Sequence, residues 1–187
     1  MQLTIFGSTG VVGGAALSEA VRRGHHVTAL VRRVDSVATV LEPDSMTSIT
    51  EVVGDALDPV AVRSALAGAE AVLHCVGVGG LGDGRPSTLV SDSVRLTVDS
   101  MEESGIARLV CLSNIGAGGS GSRLFRRAVI PLALRRLVAI IEDKDRMEAI
   151  LSASSLDGPP YASRTSCQAR RPPGSARAPT EQVLGCA

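Results

Sequence analysis

The chain has 187 residues, 44% hydrophobic and 20% charged, with a formal net charge of zero, which is enough for one globular domain with its own core. A balanced charge leaves no global field to draw it to nucleic acid or an anionic membrane surface, and two Phe, one Tyr and no Trp give no platform for stacking bases. No apolar run approaches the ~20 residues of a membrane span, and no basic segment precedes the first apolar run as in a secretory signal, so the expected setting is the cytoplasm.

In chain order, Leu3 to Phe6 reads as a short apolar strand. Val11 to Arg23 follows with helical spacing, Val12, Ala16 and Ala20 on one side with Leu17 and Val21 beside them, and Gly24 ends it. His26 to Val31 is a second strand, rich in aliphatic and β-branched residues, and Ile49 to Val53 a weaker third. Asp58 and Pro59 open a helix that runs through Leu66, the Asp as N-cap and the Pro at the first helical position. Ala71 to Val76 is a fourth strand, almost wholly apolar, as expected when both of its faces are covered.

A glycine-rich loop, 77 to 85, leads to a long helix from Ser87 to Ser104. Arg108 to Leu112 is a fifth strand, a second glycine-rich loop spans 116 to 122, and Leu124 to Leu151 is mostly helical with a break near Pro131. Regular alternation of strand and helix predicts an α/β fold, a doubly wound parallel sheet of Rossmann type in a single domain, residues 1–157.

Cys75, Cys111, Cys167 and Cys186 are far apart, with no C-x-x-C pair, and Cys75 and Cys111 sit in apolar runs. That usage argues for reduced, buried thiols and against a metal site or a disulfide framework. His25, His26 and His74 show no ligand spacing; His74, inside an apolar strand, reads as a hydrogen-bonded core histidine. The arginine pairs at 126/127 and 135/136 read as a solvated helix face.

The chemistry-bearing signal is QLTIFGSTGVVGG, residues 2–14, where Gly7, Gly10 and Gly13 stand three apart between a strand and a helix. In that setting glycine permits a tight turn, lets backbone approach a pyrophosphate and lets helix and strand pack closely. The helix start supplies unpaired N–H groups and a partial positive charge. Thr9, Gly10, Val11 and Val12 lie where those N–H groups point; the competing reading is a purely structural turn.

An NAD-binding domain carries an acid at the end of the second strand for the ribose 2′-hydroxyl. This chain has Arg32 and Arg33 there, and a guanidinium suits a 2′-phosphate, so the expected cofactor is NADP (NADPH). Two solvated arginines are the alternative, and Asp35 remains an acid within reach of a ribose. Asp55 in GDALD is a candidate for the adenine edge or an ordinary turn aspartate. Val76 and Gly77 end the fourth strand and Ser113 and Asn114 follow the fifth, at the sheet edge where ligands bind in this class.

In order and spacing, GSTGVVG, ALVRR, GDALD and LSNIGAG resemble an atypical short-chain dehydrogenase/reductase. Within that group they resemble the NAD(P)H-binding, NmrA-like proteins and the flavin reductase–biliverdin-IXβ reductase branch. The resemblance runs from residue 1 to about 157 and includes EDKDRMEAILSASSLD as the helix leading to the next strand. It implies a domain that uses NADPH, with a shallow substrate site over the nicotinamide. It further implies that Gly7, Thr9, Gly10, Val11, Val12 and Gly13 hold the pyrophosphate, Arg32 and Arg33 the 2′-phosphate, and Asp55 and Ala56 the adenine. Gly77 and Ser113 would then flank the nicotinamide.

The Tyr-x-x-x-Lys pair of typical members is absent, since Tyr161 lies downstream of Lys144, the only lysine. Ser113 and Lys144 remain as catalytic candidates, each with a bland alternative: a strand-end serine bonded to backbone, and a solvated helix lysine. The resemblance implies hydride transfer to a flavin, quinone or similar conjugated acceptor, or else a non-catalytic NADP-binding redox sensor. The expected partner is a small molecule, the expected assembly a monomer or homodimer.

The composition changes after Asp157. Residues 158–187 hold five of the nine prolines, four arginines and one acid, too little apolar surface to offset the entropy of ordering. Relatives of the resembled family continue with a strand of the type W-T-[IV]-V-R-P, where this chain reads GPPYASRTSCQARRPPG. A one-base shift of reading frame after Asp157 would account for the change; the alternative is a genuine disordered tail. The expectation is an irregular or disordered tail and a missing sixth strand.

Overall fold

The computed structural model describes residues 1–39, 48–79, 83–113, 135–156 and 162–163. The strands are β1 (Gln2–Phe6), β2 (His26–Val31), β3 (Ile49–Val53), β4 (Ala71–His74), β5 (Leu109–Ser113) and β6 (Ala162–Ser163). The helices are α1 (Val11–Arg22), α2 (Pro59–Leu66), α3 (Leu89–Ser104) and α4 (Arg135–Ala153). Strand order is β3-β2-β1-β4-β5-β6, and every pairing is parallel. In the centre Ile5 lies opposite both Ala29 and Leu73. The order reverses between β1 and β4, which places a crevice above the carboxyl ends of those strands.

Strand alternation explains the two cores. Leu3, Ile5, Val27, Ala29 and Val31 face one way and pack with Leu17 and Ala20 of α1. Phe6, Leu30 and Val72 face the other way, with Leu109 and Cys111, onto Ala61, Val62 and Ala65 of α2, Val94 and Met101 of α3, and Met147 of α4. A strand buried on both faces has no solvent side, hence the unbroken apolar runs read from the sequence. Where Thr4 faces α2, its hydroxyl donates to the Ala65 carbonyl at 2.7 Å, which keeps that buried oxygen paired.

Element ends differ from the sequence reading by one or two residues. β4 stops at His74, because Gly7 turns against Cys75 and Val76 and the Cys75 N–H makes a last bond to the Phe6 carbonyl at 2.9 Å. β5 extends through Ser113. α2 begins as expected, with Asp58 accepting from the Val60 N–H at 2.9 Å and Pro59 in the first turn.

One expectation is corrected: the sixth strand is not missing. Ala162 and Ser163 pair in parallel with Leu112 and Ser113, so two residues of the unusual tail still meet the sheet edge. The arginines at 126 and 127, Tyr161 and the remainder of the tail lie outside the described residues, as do the side chains of Arg135 and Arg136. No helix among the described residues is long and apolar enough to cross a membrane.

Candidate functional site

The turn from β1 into α1 is shaped by what its glycines lack. Gly7 has φ +77°, and a Cβ there would lie 2.8 Å from the carbonyl carbon and oxygen of Cys75. Left-handed backbone pressed against a neighbouring strand leaves no residue but glycine. At Gly13 a Cβ would overlap the Gly7 carbonyl oxygen, so α1 can approach the turn only without a side chain. Gly10 is different: its Cβ would touch only the Gly7 oxygen, at 3.3 Å.

Gly10 is the N-cap of α1, in extended conformation, with no side chain capping the helix and no acid in its first turn. The first N–H groups of a helix have no partner inside it; here the Gly10 N–H bonds the Gly7 carbonyl at 3.1 Å, while those of Val11, Val12 and Gly13 have no partner among the described residues. Thr9, Gly10 and Val11 are exposed, Val11 at 86%. Ser8 beneath them is fully buried, and its hydroxyl has no hydrogen-bond partner among the described residues. A bare, positive helix start framed by two side-chain-free contacts fits a diphosphate.

Arg32 and Arg33 follow β2 directly and are exposed. Neither guanidinium has a partner among the described residues. The chain then turns through Asp35, at φ +57°, and returns to bury Val37 completely in the α1-side core. Glu51 on β3 accepts from the N–H groups of Asp35 and Val37, both at 2.7 Å.

Beyond β3, the Asp55 carboxylate accepts from the Leu57 N–H at 2.9 Å, so one oxygen serves the turn. Ala56 is partly buried against the core, while Val53, Leu57 and Val60 are exposed apolar side chains around that corner.

The ends of β4 and β5 are built differently. Val76 packs partly buried on the core and Gly77 is exposed. Ser113 is fully buried and donates to Glu148, and the Lys144 ammonium donates to the Leu112 carbonyl. Lys144 and Glu148 stand one turn apart on α4 and hold the last two residues of β5. Lys144 is 3% exposed, so it is not a solvated helix lysine. Burial lowers its pKa and raises that of Glu148.

Next to Lys144, His74 is fully buried and stacks on Phe6 with ring centroids 5.6 Å apart. Neither ring nitrogen has a partner among the described residues, which corrects the expectation of a hydrogen-bonded core histidine. Burial, and secondarily the Lys144 charge, brings its pKa down to about 3. Burial pushes the Cys75 and Cys111 thiols up to about 11 and about 12, so both are neutral near pH 7.

Three residues of this architecture are missed by reading the sequence alone: Glu51, Asp143 and Glu148. Asp143 on α4 accepts from the Val90 and Ser91 N–H groups at 2.9 and 3.1 Å and so caps α3 from another helix. Its signal was present, since Asp143, Lys144 and Glu148 share a helix face with Ile140, Met147 and Leu151. Charges on the apolar stripe of a helix mark buried polar contacts.

A family model described as NAD(P)H-binding matches residues 7–158. The chain belongs to this NAD(P)H-binding family. The match spans β2 through β5 and all of the corner between Gly7 and Gly13. An uncharacterized protein of Mycobacterium tuberculosis is 30% identical over 115 residues, covering 61% of this chain and 12% of that protein. This chain therefore spans about an eighth of the length of that relative.

Among solved structures, a wide-type short-chain dehydrogenase/reductase from Veillonella parvula in complex with NADP superposes with a TM-score of 0.64 at 16% identity, over 87% of this chain and 67% of that one. The anaerobilin reductase ChuY from Escherichia coli O157:H7 gives 0.60 at 25% identity, over 87% and 71%. The family and the fold are those the motifs pointed to, with NAD(P)H as the ligand class.

Proposed function

We propose that the chain is an NADPH-dependent oxidoreductase that passes a hydride to a flavin, quinone or similar conjugated small molecule. The observation that carries this reading is the bare N-terminus of α1 between Gly7 and Gly13, with two guanidiniums on the adjoining strand end that have no partner among the described residues. The backbone N–H groups of Val11, Val12 and Gly13 would hold the pyrophosphate, Arg32 and Arg33 the 2′-phosphate, and Asp55 and Ala56 the adenine side. When bound, the dinucleotide supplies the hydride.

The chain's own contribution is to orient and to place charge. The Ser113 hydroxyl is buried with its proton directed at Glu148, so toward a ligand it would serve only as an acceptor, suited to the carboxamide NH2. Lys144 sets a buried positive charge behind the ends of β4 and β5, where it would steady negative charge developing on an acceptor. A delocalised acceptor needs little acid catalysis, consistent with a chain whose only tyrosine lies outside the Tyr-x-x-x-Lys pattern.

A second reading, an NADP-binding redox sensor without turnover, is favoured by one observation: the polar atoms of Ser113 and Lys144 are both engaged within the protein. Titration with NADPH and NADH, followed by NADPH oxidation with a flavin and a quinone as acceptors, tests both. The expected result is tighter binding of NADPH, a preference reduced about tenfold in Arg32→Ala by loss of a charge-assisted contact, and acceptor-dependent oxidation. Binding without oxidation supports the sensor; equal affinity for the two dinucleotides contradicts the NADP assignment.

A further inference from the structure

The loop after β2 carries two opposed chemistries. Arg32 and Arg33 suit a phosphorylated ribose, whereas the Asp35 carboxylate, two residues on, suits a bare ribose diol. All three are exposed. Which one meets the ligand depends on the backbone path between Val31 and Val37, and that path is not set by regular structure. Its fixed points are the end of β2, the buried Val37 side chain, the Ser36 hydroxyl donating to the Arg33 carbonyl at 2.5 Å, and Glu51.

Glu51 has a particular position. It lies opposite Ala29 in the β2–β3 ladder, on the same face as Val37 and Ile49. From there its two oxygens each accept one backbone N–H, Asp35 by one and Val37 by the other. Asp35 sits in the left-handed region at φ +57°, a conformation that costs a non-glycine residue and persists where its surroundings hold it. A carboxylate bridging the N–H groups of residues 35 and 37 is such a hold, and it comes from a different strand.

We propose that Glu51 is the positioning residue for dinucleotide choice, fixing the 32–36 loop so that the arginines rather than Asp35 face the ribose. It touches no ligand; it acts through the backbone of Asp35 and Val37. The proposal rests on the NADPH reading above. It makes that reading depend on an acidic side chain, which a search for cationic phosphate ligands would pass over.

The test is a set of titrations of wild type, Glu51→Ala and Glu51→Gln with NADPH and with NADH, with thermal melting of each. In Glu51→Ala the affinity for NADPH is expected to fall about tenfold while that for NADH stays within about twofold, because the diphosphate corner is untouched. Glu51→Gln keeps the side-chain length but only one acceptor oxygen, so its ratio should fall between the other two. It also keeps the test valid if the alanine variant does not fold. An unchanged NADPH-to-NADH ratio in both variants overturns the proposal. So does an equal loss of both ligands, which is what mere destabilisation would give. A wild type without NADPH preference is a different failure, visible before any variant is made: it removes the arginine reading and this inference with it.

Discussion

The two halves of the sheet's carboxyl edge are built on different principles. At the β1 and β2 ends, backbone defines the site: Gly7 and Gly13 admit no side chain, the α1 N-terminus is uncapped, and the arginines stand free among the described residues. At the β4 and β5 ends, side chains from α4 define it: Asp143, Lys144 and Glu148 bind, in turn, the α3 start, the Leu112 carbonyl and Ser113. The first half is arranged to receive something from outside, while the second is largely satisfied from within. On the proposed function, ligand recognition and internal cohesion are separated along one edge.

The sharpest way to break that contrast is Gly13→Ala. The new methyl would overlap the Gly7 carbonyl oxygen, so either α1 or the turn must move. Overpacking of this kind costs about 3 kcal/mol, and melting should show it together with loss of dinucleotide binding. Gly10→Ala is the control, since its methyl meets only one atom, at 3.3 Å; this variant should fold normally. If both melt alike, the turn is not the backbone-limited corner described.

A smaller effect should appear on the other side as pH dependence. His74 titrates near 6.5 in the unfolded chain and near 3 in the fold, so the unfolded chain binds the extra proton between those values. Stability from neutral His74 is complete above pH 6.5 and is lost as pH falls toward 3. Between pH 7 and pH 5 the wild type should lose about 2 kcal/mol more than His74→Leu, measured by denaturant unfolding. Parallel pH profiles would mean that His74 binds its proton equally in the folded and unfolded states, which contradicts a depressed pKa in the fold.

The smallest is Asp143→Asn, which keeps one acceptor oxygen for the α3 start but removes the charge. A loss of about 1 kcal/mol in unfolding free energy is expected, with NADPH affinity unchanged within about twofold. A large loss of affinity would show that the two halves are coupled.

This contrast also sets what could be read from the sequence. The diphosphate corner was legible because its constraints are local: strand, turn and helix follow within about twenty residues, and the missing side chains are visible as letters. The parallel order followed from alternating apolar runs. The α4 contacts were not legible, since Asp143 meets Val90 across 53 positions and Glu148 meets Ser113 across 35. Only the fold brings them together. Lys144 was singled out as a residue, but its burial could not be inferred from a helix segment crowded with charges, EDKDR. Glu51 was hidden in a weak strand, where an acid normally signals a solvent face.

The central claim is that amide hydrogens at the start of α1 hold the dinucleotide. Amide spectra of the isotopically labelled protein during NADPH titration test it most directly. The account predicts saturable shifts concentrated at Thr9, Gly10, Val11, Val12 and Gly13, with smaller ones at Arg32 and Arg33. Saturable binding that leaves those five amides unmoved would contradict it.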